Sequence, residues 1–177
     1  AAQRLENMEE GVRAAMRHAG MIPWDDDVDV YLYREEYDRL MVILADALPD
    51  GYFLQTMDTD PEYMYPFAKI RKNGTAFVQD ALKDIPMHHG IYIDIFPVDG
   101  APKGWLAAQI HRFRLFFYKR VTIGHILPRK VERVVYGLLY RLVPRKKLLR
   151  MYGMACRKYD SRKTGICLTG TSDYAYR

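Results

Sequence analysis

The sequence predicts an α+β fold, in which a mixed sheet with flanking helices is followed by a basic helical extension at the C-terminal end. Two segments with alternating apolar residues, 27–33 and 90–97, predict strands. A stripe of apolar side chains at three- and four-residue spacing across 131–142 predicts an amphipathic helix. With 177 residues, 49% of them apolar, the chain can bury a core without help from a metal or disulfides.

The elements follow in order along the chain. Residues 3–19 have helical spacing, and an acidic turn leads into the strand at 27–33 and a helix at 34–48. A short strand is expected at 52–57, and residues 67–71 and 75–79 are expected to form a hairpin around Asn73-Gly74. Pro97, Asp99-Gly100 and Pro102 are expected to end the strand at 90–97. Helices are expected after residue 103, and residues 164–177 show no pattern.

Charge divides the chain in two. Residues 1–100 contain nine Lys and Arg against nineteen Asp and Glu, whereas residues 101–163 contain seventeen Lys and Arg against only Glu132 and Asp160. We therefore predict a catalytic core at residues 1–102 and a basic helical extension at 103–177 that packs on the core as one unit.

The basic extension limits the classes of partner. Aromatic residues lie among Leu and Val at helical spacing, which suits either a core face with a solvated basic back or a helix resting on anionic lipid through residues 112–163. We favour the core interpretation, and we do not expect a nucleic-acid partner. Two cysteines and no apolar run long enough to span a bilayer indicate a cytoplasmic protein, with peripheral contact on the inner face of the membrane as the alternative.

Three aspartates form the strongest chemical signal. Asp27 and Asp29 are two residues apart on a predicted strand, so their side chains point the same way and can reach one divalent ion. Asp94 lies on the strand at 90–97, on the face opposite its isoleucines. Oxygen ligands of this kind suit Mg²⁺ or Mn²⁺ in phosphoryl transfer. The alternatives are a solvated acidic turn and an edge-strand Asp that faces water.

Three stretches resemble the LicD phosphocholine transferase family. They occur in family order across residues 11–102, and they are Arg17 to Val30, which contains Pro23-Trp24-Asp25-Asp26-Asp27-Val28-Asp29, then Phe67-Ala68-Lys69-Ile70-Arg71, then His89 to Gly100. The resemblance implies a fold similar to polymerase-beta-like nucleotidyltransferases, and fukutin-related ribitol-phosphate transferases are similar. It also implies that Asp27, Asp29 and Asp94 are both catalytic residues and metal ligands.

The implied reaction moves phosphocholine, or a similar phospho-alcohol, from CDP-choline or a related donor to a cell-surface glycan or its lipid-linked precursor, such as lipopolysaccharide or teichoic acid. The family usually has a Gly-Gly-Thr or Gly-Gly-Ser turn where this chain has Glu9-Glu10-Gly11-Val12. Two glutamates there would repel a phosphate. This departure keeps open a catalytically silent adaptor at the membrane surface, and a glycosyltransferase that uses its DxD sequence is the other alternative.

Five further residues are candidates for binding the substrate or its phosphates. Lys69 and Arg71 are two residues apart on a strand and Arg17 precedes the acidic turn, so all three could contact phosphate; a surface hairpin and a helix-end cation are the alternatives. Trp24 could stack on a base or contact choline, or fill the core. His89 could orient substrate or lie in a polar loop.

Overall fold

The computed structural model describes residues 28–124, 129–159, 161–164, 167–169 and 175–176. Within these residues the elements are β1 (Asp29–Tyr33), α1 (Arg34–Ala47), β2 (Tyr52–Gln55), β3 (Ala68–Lys72), a 3₁₀ turn (Asp80–Leu82), β4 (Tyr92–Gly100), α2 (Trp105–Thr122), α3 (Lys130–Leu142), α4 (Arg145–Cys156), α5 (Ser161–Thr164), β5 (Cys167–Thr169) and β6 (Ala175–Tyr176). The predicted α+β class is confirmed.

The sheet is mixed and is organised around the long strand β4. Strand β1 pairs with β4 in parallel, while β3 and β5 pair with it antiparallel at different positions along its length. Strand β2 extends the sheet beyond β3, and β6 extends it beyond β5. Residue 94 is thereby flanked on both sides, by β1 and by β3.

One face of the sheet is apolar and is covered by α1. Tyr37 of this helix packs with Leu54, Ala68 and Ile95, which come from β2, β3 and β4. Residues at odd positions of β4 share this face because side chains alternate along a strand. The opposite face therefore carries Asp94 and Phe96, as the alternation in the sequence predicts.

Two further clusters stabilise the protein outside the sheet. Helices α2 and α4 pack through Leu115, Tyr152 and Cys156, and this cluster reaches the end of β4 at Ala101. Tyr63 and Met64 anchor the second cluster, in the loop before β3. Burial raises the pKa of the Cys156 thiol to about 12, so this cysteine is a packing residue.

The expected hairpin around Asn73-Gly74 is wrong. Gly74 does adopt a left-handed turn conformation with φ of 71°, but residues 75–79 that follow it form no strand. Both edges of β3 are already paired, with β2 on one side and β4 on the other, so a further strand has no free edge to join. The chain is fastened instead by the Phe77 amide, which donates to the His89 carbonyl over 2.6 Å.

Two features of the C-terminal part differ from expectation. Residues 164–177 showed no pattern, yet they supply β5 and β6, which are too short for periodicity to reveal. The apolar stripe of α3 was expected to face the core, and this was wrong, since none of the residues of α3 is buried. The division into two units at residue 102 stays a prediction, although β5 joins the sheet of the first unit.

Candidate active site

Asp29 and Asp94 occupy the same position on neighbouring strands. They are register partners in the parallel pairing of β1 with β4, so both side chains extend from the same face of the sheet. Tyr31 follows Asp29 by two residues, and its hydroxyl donates a hydrogen bond to Asp29 Oδ2 over 3.2 Å. Asp29 is exposed and Asp94 is buried. The pair therefore presents one carboxylate to solvent and holds the other within the fold.

Lys69 extends this row onto a third strand. It is the register partner of Asp94 on β3, and its ammonium forms an ion pair with Asp94 Oδ1. Both side chains are buried. Burial lowers the pKa of the Lys69 ammonium, and the hydrogen bond and charge of Asp94 oppose that shift. Since the two charges offset each other, the pair can remain ionised inside the protein.

Aromatic rings surround the Lys69 ammonium. Its Nζ lies 3.6 Å from the centre of the Tyr92 ring and 5.3 Å from that of Phe67. Ring faces attract a cation, so these contacts hold the ammonium against Asp94. Lys69 therefore contacts a carboxylate of the acid pair, and its contact with donor phosphate stays a prediction.

Arg71 lies on the same face as Lys69 but is locked into a buried network. Its Nε donates to Gln55 Oε1 over 2.6 Å and its Nη1 donates to the Gly90 carbonyl over 2.7 Å. Gln55 in turn donates to Asp60 Oδ2 over 2.7 Å. Only 1% of Arg71 is exposed. The described contacts of Arg71 thus tie β2, β3 and the start of β4 together.

Gly90 is required for this packing. A Cβ at this position would lie 2.3 Å from the Lys72 carbonyl oxygen and 2.7 Å from Cε1 of His88. Any side chain would therefore push β4 away from the end of β3. The close approach holds the Gly90 carbonyl where Arg71 can reach it.

His89 makes a local hydrogen bond within the loop before β4. Its Nε2 lies 2.9 Å from the carbonyl oxygen of Ile85, in the loop before β4. The neighbouring His88 stacks on Phe53 of β2, with ring centres 5.2 Å apart. The His89 ring therefore contacts the loop before β4, and the His88 ring contacts β2.

Three candidate residues lie outside the described part of the chain, namely Asp27, Arg17 and Trp24. Across the residues that the structure describes, no three carboxylates, histidines or cysteines converge in the manner of a complete metal site. The described portion of the site consists of Asp29 and Asp94, with Lys69 beside them. Two residues further along β1 and β4, Tyr31 and Phe96 begin a second row of side chains on the same face.

This second row is aromatic. Tyr31 and Phe96 are register partners whose rings stack with centres 5.1 Å apart, and Phe96 contacts Phe67 with centres 4.4 Å apart. Beyond them lies a cavity of about 180 Å³, which Tyr65, Phe67, Phe96 and Tyr152 line together with Lys119 and other residues of α2. Burial raises the pKa of Tyr65, and the negative charge of Asp94 raises it further. Tyr65, which lines the cavity, is therefore close enough to Asp94 to be affected by its charge.

Arg34 fixes the strand that carries Asp29. It is the first residue of α1, and its Nε and Nη2 donate to the two oxygens of Asp99 over 2.7 and 2.6 Å. Asp99 is 2% exposed and lies near the end of β4. No local pattern in the sequence predicts this pair, because the partners are 65 residues apart. It fastens the end of β1 to β4 and so maintains the register of the acids.

A family described as LicD/FKTN/FKRP, nucleotidyltransferase domain, matches residues 9–106, which is more than half of the chain. The chain belongs to this family. The match includes all three aspartates together with Lys69 and Arg71. The resemblance drawn from the sequence motifs is thereby confirmed.

A relative gives the same assignment. The chain is similar to lipopolysaccharide cholinephosphotransferase LicD of Haemophilus influenzae, with 37% identity over 89 residues. The aligned region covers 50% of this chain and 32% of the relative, so the chain spans about a third of the length of that LicD protein. No solved structure matches the chain.

Proposed function

We propose that the protein transfers phosphocholine, or a closely related phospho-alcohol, from a CDP-activated donor to a glycan or its lipid-linked precursor. The observation that carries this proposal is the register pairing of Asp29 with Asp94, beside Lys69, on one face of the sheet. Membership of the LicD family and the similarity to a cholinephosphotransferase support the reaction class.

The bond changes follow from the donor. The acceptor hydroxyl oxygen attacks the choline-side phosphorus, a new phosphorus–oxygen bond forms, and the bond from that phosphorus to the bridging oxygen breaks so that CMP leaves. The proton of the acceptor hydroxyl passes to a carboxylate of the site. Lys69 keeps Asp94 ionised and oriented because its ammonium is buried against that side chain.

The described acids fit a divalent cation. Asp29 and Asp94 offer carboxylate oxygens from adjacent strands, and hard cations such as Mg²⁺ and Mn²⁺ prefer such ligands. Asp27 would complete the set from outside the described residues. When bound, the cation would neutralise donor phosphate charge.

The aromatic row supports choline as the transferred alcohol. A quaternary ammonium is attracted to the faces of aromatic rings, and Phe96 and Phe67 lie two residues along the chain from Asp94 and Lys69. This spacing is about 6.5 Å, which is comparable to the length of the two-carbon arm between phosphate and ammonium. An uncharged polyol would gain less from these rings.

The test is a release assay on the full-length protein. CDP-choline, CDP-ribitol and a UDP-sugar are each supplied with acceptor and Mg²⁺, and the released nucleotide and labelled acceptor are quantified. We expect CMP release from CDP-choline, and we expect chelation of the cation and the Asp29→Asn variant each to abolish it. Asp46→Asn, an exposed acid on α1, is the matched control and should keep full turnover.

Three outcomes would contradict the proposal. Undiminished transfer by Asp29→Asn would show that the reaction does not depend on the acid pair. Preferential use of the UDP-sugar would indicate a glycosyltransferase. A folded protein that binds none of the CDP compounds would indicate a silent adaptor.

A further inference from the structure

Helix α3 carries an apolar stripe that faces away from the protein. The stripe consists of Val131, Val134, Val135, Leu138 and Leu142, which follow helical spacing, and every one is at least half exposed. The packed side of the helix is elsewhere, at Tyr136, whose ring contacts Phe117 of α2. We call these five residues the outer stripe of α3.

Helix α2 has the same organisation. Leu106, Ile110 and Phe113 are exposed and follow one another at four- and three-residue steps, and we call them the outer stripe of α2. Phe117 continues this spacing, but its ring packs against Tyr136 of α3 and is not part of the stripe. The opposite side of the helix is buried through residues that include Leu115. Isolated exposed apolar residues are ordinary, but exposed stripes on two neighbouring helices mark a binding surface.

Cations border both stripes. On α3, Lys130 lies one turn from Val134, and Arg141 lies one turn from Leu138. On α2, Arg114 lies one turn from Ile110. All three of these basic residues are exposed.

Negative charge is scarce in the same segment. Between residues 101 and 163 the acids are Glu132 and Asp160. Glu132 is already paired, with Arg120 over 3.1 Å and with Arg129 over 3.3 Å. The two helices therefore present exposed apolar side chains beside basic residues, which is the composition of helices that lie in the interface of anionic lipid.

We propose that the outer stripes of α2 and α3 dock the protein onto an anionic lipid surface, with the stripes among the acyl chains and their basic borders at the headgroups. A second copy of the chain is a poorer occupant, because a symmetric dimer would bring the same cations together across its interface. Within the described helices, none combines the length and apolarity needed to cross a bilayer.

The test is flotation of the full-length protein with vesicles of phosphatidylcholine, with or without phosphatidylglycerol. We expect partition onto the anionic vesicles only, weakened by high salt because the basic borders are screened. Val134→Glu/Leu138→Glu should lower the vesicle-bound fraction by about tenfold or more, since two charges would enter the acyl region. The matched control is Val42→Glu/Ile43→Glu, which changes similarly exposed residues of α1 and should leave partition unchanged.

A second readout locates the contact. Trp105, the first residue of α2, is 75% exposed, and we expect its fluorescence to shift to the blue on anionic vesicles. Trp105→Phe should remove that shift without preventing flotation. Circular dichroism and thermal unfolding establish that each variant is folded.

The proposal is overturned by any of three results. Full-length protein that stays unbound would mean that another part of the protein covers the stripes. Equal loss in the α1 control would place the contact elsewhere. A stripe variant could also convert a dimer into a monomer in light scattering and leave flotation unaltered. That result would show that a second copy of the chain covers the stripes. The lipid test is independent of the transfer assay, so either proposal can fail alone.

Discussion

Lys69 and Asp94 form an ion pair between adjacent strands, with both side chains shielded from water and the Tyr92 ring against the ammonium. Replacing only one residue of such a pair lowers the stability strongly, because the other charge stays buried without the partner that offset it. The pair therefore holds Asp94 in place for chemistry and also makes the sheet sensitive to either substitution.

Lys69→Met should lower the free energy of unfolding by about 3 kcal/mol, because it removes the ammonium that offsets the buried Asp94 charge. The double variant Lys69→Met/Asp94→Leu should recover part of that loss, since both buried charges are then gone. Urea unfolding of the wild type, both single variants and the double variant measures this. Strictly additive losses would show that the two side chains do not interact.

Arg34→Met should cost about 3 kcal/mol of unfolding free energy, because Asp99 would keep its charge at 2% exposure without the guanidinium that now binds it twice. Arg157→Met is the matched comparison. Arg157 pairs with Asp38 over 2.5 Å, but both side chains are largely exposed, so the loss should stay below about 1 kcal/mol. Similar losses for the two variants would contradict the role given to burial.

Phe96→Leu should weaken the use of CDP-choline more than that of CDP-ribitol, because leucine fills space but offers no ring face to a quaternary ammonium. We expect the KM for CDP-choline to rise by about tenfold, at the upper end of one cation–π contact. Phe53→Leu, a ring that stacks on His88, is the control and should change neither KM. Equal effects on both donors would show that the aromatic row does not recognise choline.

His111 should make the protein sensitive to mild acid. Its ring packs against Tyr159 with centres 4.9 Å apart, and neither ring nitrogen has a hydrogen-bond partner within the described residues. Burial, with the charges of Arg114 and Lys158, lowers the pKa of His111 to about 4. The unfolded chain binds a proton more readily than the folded one, so stability falls as the pH decreases from about 6.5 towards 4.

Between pH 7.5 and pH 5 this histidine should account for about 2 kcal/mol of lost unfolding free energy. His111→Phe keeps an aromatic ring against Tyr159 and removes the titrating group, so its stability should change less over the same range. Denaturant unfolding of both proteins at the two pH values provides the comparison. An unchanged acid sensitivity in His111→Phe would assign the effect to other groups.

The sequence predicts which residues of the site lie together on one strand, but it does not predict how the strands assemble. Alternation along residues 90–97 placed Asp94 and Phe96 on one face, and the structure confirms this. It could not show that Asp29 and Asp94 are register partners, because pairing between distant strands leaves no local pattern. The Arg34–Asp99 pair was missed for the same reason.

The incorrect predictions arose where tertiary contacts override local signals. Asn73-Gly74 is a strong turn sequence, but the edges of β3 were already taken by β2 and β4. The stripe of α3 has the spacing of a core helix, yet spacing does not reveal which side meets the protein. Asp27, Arg17 and Trp24 lie outside the described residues, so their roles stay predictions.

The pairing of β1 with β4 also has a consequence for biosynthesis. When β1 leaves the ribosome, its backbone hydrogen-bonding groups are unpaired. Its partner strand β4 is synthesised about 65 residues later. During that interval Tyr31 and its apolar neighbours have no sheet to join, and closing so long a loop slows folding. Chaperone capture should therefore be strongest for nascent chains halted before residue 98.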